Sequence, residues 1–166
     1  MLRKGFTLVE LIVVIAIIAV LAAVVAPNAF KAVEKAKVSG VISDYNAIKT
    51  ATMAYYGDCG GWPTDVANLT TQPATAVCDS WDGPYLEKTP APRFSGSTTT
   101  FVNQTGTTFG ASAGERFIRV SGIVAPAARI AIDKAIDGTT GAATGFARND
   151  TTGNVTLLIS RDAAVN

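Results

Sequence analysis

From Phe6 to Ala26 the chain runs for 21 residues with a single charged side chain, Glu10. A helix of that length spans roughly 31 Å, about the hydrocarbon thickness of a bilayer. Length and composition therefore predict a transmembrane helix. Arg3 and Lys4 stand just ahead of the run. Basic residues stay on the cytoplasmic side, so the N-terminus is expected inside and the rest of the chain outside.

The remaining composition narrows the chemistry. Hydrophobic residues make up 48% and charged residues 16%, against about 25% charged in an ordinary soluble domain. Mean hydropathy is +0.29. Fourteen basic and 13 acidic side chains leave a net charge of +1. No charge excess is available to drive counterion release, so no sequence-specific nucleic-acid partner is expected. The chain has no histidine. That removes His-based acid/base catalysis, the Ser-His-Asp and Cys-His arrangements, and the commonest zinc and haem ligation. With two cysteines a four-Cys zinc site is impossible. Neither a catalytic residue, a metal nor a cofactor is expected.

Three readings of the apolar run compete. A secretory signal fits poorly, because the run exceeds the usual span of about 7–15 residues and carries a charge near its start. A plain anchor leaves Glu10 unexplained, since a carboxylate in hydrocarbon is costly and needs a partner. The third reading rests on a pattern: Gly5 precedes Phe6, and Glu10 is the fifth residue after that junction. The string GFTLVELIVVIAIIAVLAAVVAPN resembles the N-terminus of type IV pilins and type II secretion pseudopilins along its whole length. The resemblance implies a class III leader, residues 1–5. Prepilin peptidase would cut between Gly5 and Phe6 on the cytoplasmic side and methylate the new amine of Phe6. No cation lies within a few turns of Glu10 on its own helix. Its expected partner is the Phe6 amine of a neighbouring subunit, a pair that sets the stagger between chains.

Pro27 follows the run and withholds one helical hydrogen bond, so residues 6–27 form the transmembrane or filament-core helix, with a kink expected at Pro27. Over 28–56, Phe30, Val33, Val38, Val41, Ile42, Tyr45, Ile48, Tyr55 and Tyr56 recur largely at three- and four-residue spacing, with lysines and acids on other faces. This is an amphipathic half-helix whose aromatics read as packing residues rather than as a conductive path. A continuous helix Phe6–Tyr56 would be roughly 75 Å long, too long to be enclosed by a domain of this size. Gly57 reads as its C-cap, and Gly60, Gly61 and Pro63 forbid continuation.

Residues 57–166 read as a globular head: a loop-rich connection at 57–93, then a sheet and C-terminal region at 94–166. Cys59 and Cys78 lie on the expected extracytoplasmic side, and a disulfide between them is the favoured reading. A reactive thiol pair or a thiolate metal site lacks the spacing or the further ligands. Trp81–Pro90 (WDGPYLEKTP) resembles the turn that follows the long helix in pseudopilins and many pilins, with Trp81 and Tyr85 seating the loop. Strands are expected at Thr98–Asn103, Arg116–Ile123 and Val155–Ser160. Ala127–Asp137 mixes periods but reads as a helix ended at Gly138. Asp133, Asp137 and Asp150 raise calcium but form no dense cluster, so they read as solvated carboxylates. Four Asn-x-Ser/Thr triplets begin at Asn68, Asn103, Asn149 and Asn154.

These readings give an α+β, pilin-like fold: a long N-terminal helix against an antiparallel sheet of three or four strands. The expected role is a structural subunit of a type IV pilus filament, a homopolymer held through its apolar helices. The alternative is a pseudopilin of a type II secretion system. A membrane-anchored exported enzyme is the remote third, for which no catalytic constellation is present. The resemblance implies prepilin peptidase, an inner-membrane assembly platform and a cytoplasmic assembly ATPase as partners. It places the protein in the inner membrane first, then in a surface pilus or a periplasmic pseudopilus. Removal of residues 1–5 would leave 12 basic and 13 acidic side chains.

Overall fold

A computed structural model describes residues 5–73, 78–103, 114–138, 145–150 and 152–161. Arg3 and Lys4, ahead of the apolar run, lie outside them. Helix α1 runs from Leu8 to Cys59, 52 residues, and stays helical through Pro27. By contact the chain divides into two units, Met1–Ala36 and Lys37–Asn166.

The first unit holds the apolar part of α1. Its large side chains face outward along the whole run, from Leu8 at 72% exposure to Val25 at 62%. The helix carries an 18-residue stretch with mean hydropathy 3.2, none of it buried, long and apolar enough to cross a membrane.

The second unit is an α+β head in which α1 packs on a four-stranded antiparallel sheet. The strands are β1 (Thr98–Asn103), β2 (Glu115–Ser121), β3 (Ala147–Asn149) and β4 (Val155–Arg161), in the order β1-β2-β4-β3. Alternation sends Ile118, Val120, Val155 and Leu157 to one face, where they meet Val41, Tyr45, Ile48 and Tyr55 of α1 in one apolar cluster. Helix α2 (Pro126–Asp137) adds Ala128 and Ile132, and Gly138 caps it in the left-handed conformation at φ 72°. The register slips between Arg116 and Phe117, where β4 carries an extra residue.

Several expectations need correction. Helix α1 does not stop at Gly57. It continues to Cys59, and Gly60, at φ 64°, takes the left-handed position while its N–H reaches the Tyr56 carbonyl at 2.9 Å. The packed face starts at Val38: Phe30 and Val33 are 75% and 53% exposed. Tyr56 is not a core residue; it lies on the surface, stacked on Trp62 with ring centroids 4.4 Å apart. The second strand ends at Ser121, two residues short of Ile123, and β3 stands where no strand is expected.

Candidate functional site: the N-terminal assembly segment

Thr7 is the N-cap of α1. Its carbonyl accepts from the Leu11 N–H at 3.3 Å, closing the first helical turn. Its hydroxyl oxygen accepts from the Glu10 N–H at 3.3 Å and donates to Glu10 Oε2 at 2.8 Å. The Thr7 backbone N–H donates to the same oxygen at 2.9 Å. Together these make a reciprocal capping box, T-x-x-E, which satisfies donors the helix start would otherwise leave free. The carboxylate also sits at the positive end of the helix dipole.

This changes the reading of Glu10. Within its own chain Glu10 has a partner, the residue three positions earlier. The sequence signal was available, since Thr-x-x-Glu before an apolar run is the signature of such a cap. Phe6, 83% exposed, directly precedes the cap and bears the amine that cleavage after Gly5 would free.

The head contains the remaining candidates. Cys59 and Cys78 are joined by a disulfide with Cα atoms 4.8 Å apart. It ties the end of α1 to the loop that carries the Trp81–Pro90 turn. That loop is also held by the Tyr85 and Leu86 N–H groups on the Leu69 carbonyl, at 2.8 and 3.0 Å. Tyr85 meets Tyr55 and Trp81 edge-on, and its hydroxyl donates to Asp58 at 2.8 Å.

The three aspartates do separate structural work. Asp133 is no solvated carboxylate: it is fully buried, and Asn149 Nδ2 donates to its Oδ2 at 3.1 Å. Burial, then the nearby charge of Asp137, push its pKa up. Asp137 accepts from the Phe146 and Ala147 N–H groups at 3.0 and 2.9 Å, tying α2 to β3. Asp150 organises the β3–β4 turn through Asn154 and Thr152. No group of three His, Cys, Asp or Glu suited to a metal occurs among the described residues. The Asn149 and Asn154 amide nitrogens are both engaged, on Asp133 and Asp150. The side chain of Asn103 lies outside the described residues.

Sequence reasoning missed one further buried pair. Arg148 on β3 binds Glu115 on β2 through two hydrogen bonds of 2.8 and 3.2 Å, with side chains 9% and 7% exposed.

Two family models match the chain. The prokaryotic N-terminal methylation motif covers residues 1–26, and the model described as PilW, C-terminal, covers 32–111. No curated protein and no solved structure matches. The first match contains Gly5, Phe6, the Thr7–Glu10 cap and the exposed apolar helix. The second contains the disulfide, the Trp81 turn and β1. Both families are structural rather than enzymatic. The fold and the two matches together are those of a type IV pilin-like protein, with the prepilin-type methylation motif over residues 1–26.

Proposed function

We propose that the protein is a structural subunit of a type IV pilus filament. It would be cut between Gly5 and Phe6, methylated at Phe6, held in the inner membrane by α1, and then drawn into a helical fibre. The observation that carries this is the capped apolar helix. Between Leu8 and Val25 its large side chains find no cover among the described residues, and lipid or other copies of the same helix can supply it. Polymerisation exchanges lipid for protein at that surface, through close packing rather than a net hydrophobic gain. The freed Phe6 amine of one subunit would meet Glu10 of the next, while Thr7 keeps that carboxylate at the helix start. The peptidase, the membrane platform and the assembly ATPase follow from this reading, and no residue is assigned to catalysis.

A pseudopilin of a type II secretion system is the second reading, favoured by the Gly83–Leu86 turn (GPYL) and the way Trp81 and Tyr85 seat it. The test is made on sheared surface material from the source cells, imaged by electron microscopy and analysed by N-terminal mass spectrometry. Long fibres whose subunit begins at methylated Phe6 support the pilus role. A chain that begins at Phe6 but stays in the cell envelope supports the secretion role. A mature chain that begins at Met1 overturns both.

A further inference from the structure

We infer that Lys31 and Lys35 form a docking site for the phosphate headgroups of acidic phospholipids on the far face of the membrane. The inference rests on the proposed membrane-anchored state before assembly. Helix α1 continues without interruption beyond Ala26, and both lysines are exposed one helical turn apart. At about 1.5 Å per residue, Lys31 lies roughly 7 Å beyond the hydrocarbon edge and Lys35 roughly 13 Å beyond it. The headgroup layer is about 5–7 Å thick on each side. Lys31 thus stands at headgroup depth, and the four-carbon stem of Lys35 lets its ammonium bend down to the same layer. Phe30, 75% exposed, stands just before Lys31 and can lie back along the apolar layer.

Charge points the same way. Lys31, Lys35 and Lys37 fall within 11 residues of Ala26, on the translocated side, against the usual bias of basic residues toward the cytoplasm. Glu34, half-buried, is the one acid among them, so the segment keeps a positive excess. Neither Lys31 nor Lys35 is paired with Glu34 or with any other described residue. Two unpaired cations at headgroup depth are complementary to anionic phosphates.

The experiment uses the full chain reconstituted in vesicles of phosphatidylcholine alone, or of phosphatidylcholine and phosphatidylglycerol at about seven to three. Lysine amines are acylated with a water-soluble reagent and read by mass spectrometry. We expect labelling of Lys31 and Lys35 to fall about threefold or more in the anionic vesicles and to recover in high salt. Lys88, exposed on the head, serves as the control and should not change. Equal labelling in both vesicle types, with the protein floating normally, overturns the inference and leaves the membrane anchor intact. Protection that follows protein density rather than lipid charge also overturns it and assigns the lysines to a second copy. Failure to float with either vesicle removes the membrane reading and this inference together.

Discussion

Thr7 and Glu10 cap each other at the start of α1, with the Glu10 carboxylate drawn onto both the hydroxyl and the N–H of Thr7 at 2.8 and 2.9 Å. The carboxylate is therefore fixed before any neighbour arrives. In the proposed filament, an incoming Phe6 amine would add to an oriented group instead of organising a free one. Glu10→Ala removes both the cap and the charge. Membrane insertion should persist, because the apolar run is untouched, while filament yield should fall about tenfold or more. Thr7→Val tests orientation alone: it keeps the charge and the β-branched shape, so an intermediate yield is expected, with Thr7→Ser restoring it. Wild-type yield from Glu10→Ala, measured on sheared fibres, would remove Glu10 from assembly.

The Cys59–Cys78 disulfide closes a loop of 19 residues in sequence separation. A closure of that length stabilises by about 3 kcal/mol in the chain-entropy model. The double change Cys59→Ser/Cys78→Ser should lower the melting temperature of the head by roughly 10 °C. Reductant should produce the same shift in the unmodified protein and none in the variant. Near-ultraviolet circular dichroism in detergent would follow it, since Trp62, Tyr56 and Tyr85 surround the closed loop.

What the sequence made legible follows from how local each signal is. The apolar run and the β-branched stretch Val155–Ser160 are contiguous patterns, and the helix and the strand stand where those patterns put them. Phe30 and Val33 share the spacing of Val41 and Tyr45, yet only the latter meet a sheet. Spacing reports a face and says nothing of what covers it. Strand β3 has three residues, too few for a period to register. It exists because β4 offers it an edge and Asp137 holds its first N–H groups. The Arg148–Glu115 pair joins residues 33 apart, so it depends on strand order and could not be read along the chain. The Thr7–Glu10 cap is local as well, and its T-x-x-E spacing is legible in the sequence.

That buried pair makes a sharp prediction. Arg148→Met leaves the Glu115 carboxylate buried without its guanidinium, which costs about 3–5 kcal/mol in comparable cases. The head should melt far earlier or fail to fold. Adding Glu115→Leu removes the buried carboxylate and should recover most of the loss, because two apolar side chains then stand where the ion pair was, with position 148 beside Phe117 and Leu158. Thermal unfolding of the single and double variants gives the coupling directly. Additive losses would mean that the two residues act independently.

Asp133 should leave a signature in pH dependence. Burial, then the charge of Asp137, raise its pKa, and the Asn149 bond only partly offsets them. A raised carboxyl binds its proton more tightly in the folded state than in the unfolded chain, where the pKa is about 3.9. Its contribution is therefore complete below about pH 4 and is lost as pH climbs through the raised value. Asp150 works in the opposite sense. Burial opposes its ionisation, but bonds from Asn154 and Thr152 outweigh that and hold its pKa low. Its contribution is present above the unfolded value and is lost as pH falls through the lowered one. Asp133→Asn keeps the shape, removes the titration and leaves Asp150 in place. The difference in melting temperature, variant minus wild type, should grow in the variant's favour between about pH 4 and pH 7. Parallel melting curves across that range would show that Asp133 stays ionised in the fold, and would move the burden of the α2–β3 junction onto the Asp137 bonds to Phe146 and Ala147.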